Sequence, residues 1–595
     1  MRLLSPIWTD YLMIKKRISL VLFLCVLVPV AIFGCNSYSP SHESTPGPEE
    51  TTEAVLPSSV DVIAEGVPQI RVVRGDGASR AEIDAAMAIR KAIADMCAGA
   101  APEIIDDFDV ADPSVPEIIV GRTKYPDTVN TLNSLNYGEY TIRITGKKII
   151  VAAWTDFAIG DLAERFIAIL GEKLSADRMS LTLTDADNFA GVYNRSLNNL
   201  PSFDDAFPAA ITYSGDHAYQ VVITKSTEEA YRNYLGKLEV CGYTKHSERT
   251  AAGNLFAIYN DDSNAINVYY TPFNKTVRII TEPLENLFVG DDGSYTALTS
   301  PKLIMIGRRF SNTSMYLGVD SGAGLMCFVI QLSDGRFIVI DGGVATDAFA
   351  QAIYASLLNN APDKDKIIIA AWIMTHSHGD HTGGFCRFAE LYSSKVTLER
   401  IIYNFPSEAD AKSVESGNET LIRRVSGTIS AYYRNSAVNK AHTGQVYNIA
   451  DAEIEVLYTV EDYVNARRTF TSTKIYNLSS MIFSVSIAGQ KIMFLGDSQV
   501  DSNNQTATMY GSYLKSDIVQ VAHHGGEGGT TSIYKVIDPD IALFTTTDAL
   551  LPLYLEFTYN DYLVNKLHVK EYYNAADRIY TWVLPYRPTG SGWVK

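Results

Sequence analysis

Cysteine, basic tracts and long apolar runs are all scarce in this 595-residue chain, and each shortage argues against a class of protein. Two of the six cysteines lie in the first 35 residues and the other four are scattered without regular spacing, so no disulfide framework is indicated. No basic tract is present. Because 50 Lys and Arg face 68 Asp and Glu, the net charge of −18 disfavours nucleic acid as a partner without excluding it as a substrate.

The N-terminus predicts export. An apolar run at 18–33 follows three basic residues at 15–17, and its roughly 16 residues are few for a membrane span but suit a signal peptide. The run ends at Gly34-Cys35, where it resembles the lipobox of bacterial lipoproteins, which implies that Cys35 carries a lipid anchor. We therefore expect the protein at the extracellular face of the cell membrane. An uncleaved anchor helix is the alternative.

Length and composition predict several domains, because 595 residues exceed one ordinary hydrophobic core. Ser, Pro, Thr and Glu dominate the stretch after Cys35, which cannot bury a core and is expected to be a flexible tether. The expected segments are a lipoprotein signal peptide (1–35), this linker (36–58), a small α/β domain (59–200), a small α+β domain (201–298) and one large domain (299–595).

The large domain alternates strands and helices in a pattern that predicts a layered αββα sandwich. The stretch from 367 to 374 is almost unbroken in apolar residues, as expected for a strand covered on both faces. A group of histidines follows directly. A long helical pattern at about 409–434 separates these strands from a later group.

The segment after the 367–374 strand holds three histidines and an aspartate, namely His376, His378, Asp380 and His381. Alternate residues at a strand end face the same side, so His376 and His378 can share one metal ion. The turn into the next helix directs Asp380 and His381 toward a second ion. The spacing therefore predicts two metal sites side by side.

Three further motifs follow strand patterns, at Asp341, at Asp497 and at the pair His523 and His524. Together with the first string they resemble, in residue type and in order, the signature of the metallo-β-lactamase superfamily. The resemblance implies an αββα fold, a supporting role for Asp341 and a metal-bridging role for Asp497. Five of the ten histidines fall in two of these motifs, which a purely structural interpretation does not predict.

The ligand set leaves two alternatives open. The third histidine that the superfamily usually places in the first site has one candidate, His442, which is either a ligand or part of a polar surface loop. One of His523 and His524 is expected to bind the second ion and the other to contact substrate. The expected metal ligands are His376, His378, Asp380, His381, Asp497, His523 and His524.

The resemblance implies hydrolysis by a hydroxide that two divalent ions make available near neutral pH. Zinc is the expected metal, with manganese as the alternative. The expected catalytic residues are Asp380, which can orient the hydroxide or pass a proton, and the pair His523 and His524. The substrate is expected to be a small molecule or a component of the cell envelope.

Within the superfamily, the segments 318–324 and 477–525 look closest to the C-terminal domain of the competence protein ComEC and to extracellular phosphorylcholine esterases, which favours a phosphodiester over a lactam or lactone. Ala323 and Leu325 depart from the ComEC pattern, which puts a DNA-uptake nuclease in doubt. The alternative hypothesis is a cell-surface lipoprotein that binds glycan or wall polymer through a non-catalytic metal domain. Redox chemistry at a di-iron site would require acidic ligands in place of histidine and a flavin domain, and neither is visible.

Overall fold

The computed structural model describes residues 58–594, with gaps at 109–111, 194–196, 198, 205, 207, 214–217, 292–293, 310–314, 317–318, 321–325, 415–416, 464–474 and 568. One compact unit runs from Glu53 to the C-terminus. The predicted signal peptide, Cys35 and nearly all of the predicted linker lie outside the described residues. Among the helices of the described part, none combines the length and apolar character that a membrane span requires.

The N-terminal region (58–200) is an α/β layer structure, as predicted. Helix Arg80–Met96 begins with a capping box in which Ser79 and Glu82 satisfy each other's backbone N–H groups. Its other helices are Pro126–Asn133 and Asp156–Lys173. The main sheet has the strand order Ile104–Asp106, Arg71–Arg74, Glu117–Val120, Lys148–Ala153, Glu139–Thr145, Phe189–Val192. A second sheet has the order Val67–Pro68, Ser59–Ala64, Leu181–Thr184.

In its described part, the middle region (201–298) is an antiparallel sheet that packs against helix Glu228–Val240. The strand order is Ala210–Tyr213, Tyr219–Ile223, Thr276–Pro283, Asn264–Thr271, Asn254–Asn260, Thr244–Ala251. Successive side chains of a strand point to opposite faces of the sheet. Both faces of this sheet are buried, each in a different hydrophobic core. Ala257 and Val268 pack toward the helix and the N-terminal region, whereas Phe256 and Tyr269 pack against the C-terminal region.

The C-terminal region (299–594) contains two eight-stranded sheets that pack face to face. Phe328 of the first sheet meets Phe494 of the second with ring centroids 5.4 Å apart. The first sheet has the order Ala437–Lys440, Arg400–Tyr403, Ile367–Ile373, Phe337–Asp341, Cys327–Gln331, Lys302–Ile306, Ile579–Val583, with Val396–Leu398 paired to Ile367–Ile373. The second has the order Val446–Ile449, Ala452–Tyr458, Ile482–Ile487, Gln490–Phe494, Ile518–Gln520, Ile541–Phe544, Glu571–Asn574, Gly592–Val594.

Helices cover the outer faces of both sheets, which confirms the predicted αββα sandwich. Helices Asp347–Asn360, Gly379–Tyr392 and Glu419–Tyr432 pack on the first sheet. Helices Val500–Tyr510 and Thr531–Ile537 pack on the second. Shorter elements are the helices Glu408–Val414, Val460–Tyr463, Ile475–Leu478, Leu551–Tyr554 and Thr558–Asp561 and the strand pair Met315–Tyr316 and Val319–Asp320.

Two of the differences from the sequence prediction have a clear physical reason. The single helix expected at about 409–434 is two helices, Glu408–Val414 and Glu419–Tyr432, and Gly417 between them adopts a φ of 107° that a helix cannot contain. Strand Thr244–Ala251 was missed, because its side chains are mostly polar and exposed and give no apolar alternation.

Candidate metal centre

The candidate site lies where strands of both sheets of the sandwich end. In the first sheet, Phe337–Asp341 and Ile367–Ile373 are parallel neighbours. In the second, Gln490–Phe494, Ile518–Gln520 and Ile541–Phe544 run parallel to one another. The carboxyl ends of parallel strands meet at one edge of a sheet, so the residues that follow these five strands come together.

His376 and His378 lie in the loop after Ile367–Ile373, and their rings are 4.8 Å apart between centroids. Asp380 and His381 occupy the first turn of helix Gly379–Tyr392. This helix approaches the loop after Asp341 so closely that a Cβ on Gly384 would lie 1.7 Å from the carbonyl oxygen of Gly342. The glycine therefore permits the approach that brings Asp341 and His381 into contact.

The ligand atoms form two groups that share Asp497. One group is Asp380, His381, Asp497 and His524, and the other is His376, His378 and Asp497; within each group all ligand atoms lie within 4.8 Å of one another. Asp497 Oδ2 is 3.2 Å from His381 Nε2, 3.3 Å from His524 Nε2 and 3.8 Å from His376 Nε2. The structure thus brings together six of the seven expected ligands in the two groups that the sequence spacing predicts.

The donors fit a divalent metal ion in each group. His376 Nε2 and Asp497 Oδ1 are buried without a hydrogen-bond partner, and buried polar atoms are rarely left unsatisfied. Imidazole nitrogen and carboxylate oxygen are the donors that zinc takes in catalytic sites, and manganese also accepts them. Bound ions would satisfy both orphaned atoms, so each group could hold a metal.

The hydrogen bonds behind the rings fix which nitrogen faces the centre. Asp341 accepts from the Thr375 hydroxyl at 2.8 Å and from His381 Nδ1 at 2.7 Å. Since the Thr375 proton is committed to Asp341, the Thr375 oxygen accepts from His376 Nδ1 at 3.1 Å. In both histidines Nδ1 therefore carries a proton, and Nε2 is the nitrogen that faces the metal groups. Asp341 therefore orients His381 directly and His376 through Thr375, which is the position that the supporting role implied by the resemblance requires.

Burial and charge move the pKa values of these residues in opposite directions. Burial and the neighbouring His381 hold the pKa of His376 well below its usual value, which favours the neutral, metal-binding form. Burial also opposes the charged form of His524, but Asp497 and Asp380 outweigh it and raise its pKa to about 9. The surrounding histidines overcome the effect of burial on Asp497 and hold its pKa well below its usual range. Metal binding must therefore displace a proton from His524.

His523 and His524 have separate positions, although they are adjacent in sequence. Both backbones are left-handed, with φ of 50° and 59°, which turns the two side chains in different directions. His524 belongs to the second group, whereas His523 belongs to neither. The His523 side chain is 30% exposed, and its Nε2 lies 3.7 Å from Asp497 Oδ2 and 3.4 Å from Asn477 Nδ2. His523 is thus at the opening of the centre.

His442 is neither a member of the two groups nor a surface residue, so both alternatives drawn from the sequence are wrong. Its ring is fully buried between two carboxylates: Nε2 lies 3.0 Å from Glu282 and Nδ1 lies 2.9 Å from Glu461. Glu282 belongs to the middle region, about 160 residues earlier in the chain, which no local pattern could indicate.

Several residues that serve the centre were not predicted from the sequence. Thr375 and Thr545 contact ring nitrogens of the histidines, and Gln499 contacts the His523 ring and the Asp497 carbonyl. The one signal that could have found Thr545 is its position just after a buried strand. Ala323 and Leu325, where the sequence departs from the ComEC pattern, lie outside the described residues.

The comparison with known proteins agrees with this geometry. Residues 325–540 match the family model described as "Metallo-beta-lactamase superfamily". This chain carries a metallo-beta-lactamase superfamily domain. The matched residues contain both metal groups, and Thr545 follows just beyond them. The finer resemblance to ComEC and to phosphorylcholine esterases stays a prediction.

Several solved structures are similar over part of the chain, and one of them, YhfI, is described as a metallo-beta-lactamase fold protein. YhfI from Bacillus subtilis is 12% identical, covering 48% of this chain and 100% of its own, with a TM-score of 0.29. CmlA, a diiron β-hydroxylase from Streptomyces venezuelae, is 12% identical, covering 61% and 79%, with a TM-score of 0.30. The short form of human tRNase Z is 14% identical, covering 46% and 92%, with a TM-score of 0.24. None of the curated proteins matches the chain. At such TM-scores no activity is transferred from these proteins.

Proposed function

We propose that this chain is a metal-dependent hydrolase that cleaves a phosphodiester or another ester outside the cytoplasm. One observation supports the proposal above all others. Two groups of ligand atoms share Asp497, and two of their buried atoms, His376 Nε2 and Asp497 Oδ1, have no hydrogen-bond partner within the described residues. In a cluster with a structural role alone, other groups of the protein would form hydrogen bonds to these atoms.

A pair of divalent ions would acidify a water molecule and polarise the bond under attack. The protein's own residues supply the remaining functions. Asp380 lies 3.4 Å from His524 Nε2 with its side chain 35% exposed, so it can bind and orient the attacking water from the open side. His523 Nδ1 donates to the Glu527 carbonyl, so its Nε2 is the ring nitrogen that faces the opening of the centre and can contact substrate.

The accessible parts of the centre define where substrate enters. His378, Asp380 and His523 are partly exposed, whereas His376, His381 and Asp497 are buried. Substrate therefore approaches the side on which the two groups are open, and the buried residues are kept from bulk water. We propose a small molecule or a cell-envelope component as substrate, with a phosphodiester first, because segment 477–525 resembles phosphodiester-cleaving relatives.

The test is metal content and turnover of the purified full chain. Elemental analysis of protein prepared without chelator is expected to find about two zinc or manganese ions per chain. Hydrolysis is measured on bis-p-nitrophenyl phosphate, p-nitrophenyl phosphorylcholine and nitrocefin, which represent a diester, the esterase-like substrate and a lactam. Turnover of a diester substrate with none of nitrocefin would support the proposed substrate class.

Two variants give this test its controls. His378→Ala removes a ligand and is expected to abolish turnover, whereas His246→Ala removes an exposed histidine of the middle sheet and is expected to leave turnover unchanged. A chain without metal that is inert on all three substrates would refute the hydrolase. It would favour the alternative, a surface lipoprotein that binds glycan or wall polymer.

We also propose that the chain is exported and anchored in the cell membrane through Cys35. The support is the basic, apolar and Gly34-Cys35 pattern of the first 35 residues. Wild-type chain expressed in a bacterium is expected to incorporate radiolabelled palmitate and to sediment with membranes, whereas Cys35→Ala is expected to lose the label. Equal labelling of both would argue against lipidation at this position.

A further inference from the structure

Thr545 lies directly behind one of the histidines of the second metal group. It follows strand Ile541–Phe544, and His524 follows the neighbouring parallel strand Ile518–Gln520, so the two strand ends place them side by side. The Thr545 hydroxyl lies 2.8 Å from His524 Nδ1, and Thr545 is only 1% exposed. Water therefore does not compete for this contact.

The Thr545 hydroxyl can accept from His524 Nδ1–H, and in that arrangement the opposite nitrogen is available to a metal. The opposite nitrogen, Nε2, lies 3.3 Å from Asp497 Oδ2 and 3.3 Å from His381 Nε2. A neutral imidazole carries one proton, and if it were on Nε2 the lone pair would face away from the group. A hydroxyl oxygen that accepts from Nδ1–H keeps the proton on the far side of the ring and leaves Nε2 free.

The first metal group has no such contact with Thr545. In the first group, Thr375 holds His376 Nδ1. In the second group, the hydroxyl of Thr545 holds His524 Nδ1, whereas the Asp341 carboxylate holds His381 Nδ1. The loss of the Thr545 hydroxyl should therefore affect the second group more than the first.

We propose that Thr545 is a positioning residue that holds His524 in the metal-binding tautomer and so controls the affinity of the second group. This inference rests on the proposed function, since it assumes that the groups bind metal. It adds a residue outside the segment that matches the metallo-beta-lactamase family model, which ends at residue 540.

The experiment compares Thr545→Val with Thr545→Ser and Thr546→Val in the full chain. Valine keeps the shape of threonine without the hydroxyl, and serine keeps the hydroxyl. Thr546 is a matched control, because it is also 1% exposed and its hydroxyl has no hydrogen-bond partner in the structure. Thr545→Ala is measured alongside, in case the added methyl of valine disturbs folding.

Metal affinity is measured by titrating metal-free protein with Zn²⁺ in competition with a chromophoric chelator, and the visible spectrum recorded during a Co²⁺ titration follows the filling of both groups. Thr545→Val and Thr545→Ala are expected to bind one of the two ions roughly 10- to 100-fold more weakly, with the other ion unchanged. Thr545→Ser and Thr546→Val are expected to resemble wild type.

Two results would overturn the inference. If Thr545→Val and Thr545→Ala bind both ions as tightly as wild type, Thr545 does not position His524, and the proposed hydrolase is untouched. If the wild-type chain itself binds no ion, the inference and the proposed function both fail. The two failures are therefore distinguishable in one titration.

Discussion

A single buried residue, His442, stabilises the contact between the middle and C-terminal regions. Its ring lies between Glu282 of the middle region and Glu461 of the C-terminal region. Burial opposes the charged form, but the two carboxylates outweigh it and raise the pKa of His442 to about 10. The imidazolium is therefore charged at neutral pH and neutralises part of a buried pair of acids.

The sign of the pH dependence follows from this raised pKa. A histidine has its ordinary pKa near 6.5 in the unfolded chain, so the stabilisation by His442 is fully present below about pH 6.5 and is lost as pH rises through about 10. His442→Gln leaves two buried carboxylates without their cation and is expected to cost roughly 3–5 kcal/mol of unfolding free energy at pH 7. Thermal unfolding of the full chain at pH 7 and pH 10 measures the difference.

The expected result is a large difference in Tm between wild type and His442→Gln at pH 7 and a smaller one at pH 10. His246→Gln is the control, since His246 is exposed and should change Tm little at either pH. An equal Tm for wild type and His442→Gln at pH 7 would show that the ion pair contributes nothing.

At the scale of elements, the centre depends on how closely helix Gly379–Tyr392 packs on the first sheet. Gly384→Ala would place a methyl carbon 1.7 Å from the Gly342 carbonyl oxygen, and backbone on both sides leaves no flexible atom to move. The helix must shift, and Asp380 and His381 move with it. We expect a loss of about 1–3 kcal/mol in stability and a reduced metal content.

Gly427→Ala is the matched control for Gly384→Ala. Gly427 lies inside helix Glu419–Tyr432, where an added Cβ meets nothing within 4 Å. Alanine should there stabilise the helix by about 0.5–1 kcal/mol and leave metal content unchanged. Equal metal content in the two variants would mean that the position of the helix does not control the centre.

The sequence was sufficient to predict the elements in which buried apolar residues are continuous or recur at a regular interval. The apolar pattern predicted the strand Ile367–Ile373, and the two-residue spacing of His376 and His378 placed these candidate ligands together at its end, where the structure has them. Strand Thr244–Ala251 could not be found in this way, because its exposed polar side chains carry no period. The partner of His442 could not be found either, since a tertiary contact across 160 residues leaves no local pattern.

At the scale of the molecule, the middle sheet is buried on both faces and joins the regions on either side of it. Ala257 and Phe256, adjacent in one strand, belong to different hydrophobic cores. A sheet that lost either neighbour would expose one apolar face to water, at about 25 cal/mol for each Å² of apolar surface. We therefore expect residues 58–594 to unfold as one cooperative unit.

Calorimetry of the metal-free full chain tests this expectation. Tyr231→Ala alters the core shared by the N-terminal and middle regions, and Phe483→Ala alters the core between the two sheets of the sandwich. Each variant is expected to show a single transition shifted to lower temperature. Two resolved transitions, of which only one responds to each variant, would show instead that the regions unfold independently.

The order in which the chain is synthesised has a consequence for the first sheet of the sandwich. Strand Lys302–Ile306 pairs on one side with Cys327–Gln331 and on the other with Ile579–Val583, about 270 residues later. At about 5–20 residues per second, the ribosome needs roughly 15–55 seconds to reach that partner. During this interval the nascent sheet presents an open edge to any other strand. A nonsense mutation before Ile579 would make that edge permanent and would yield a product prone to aggregation.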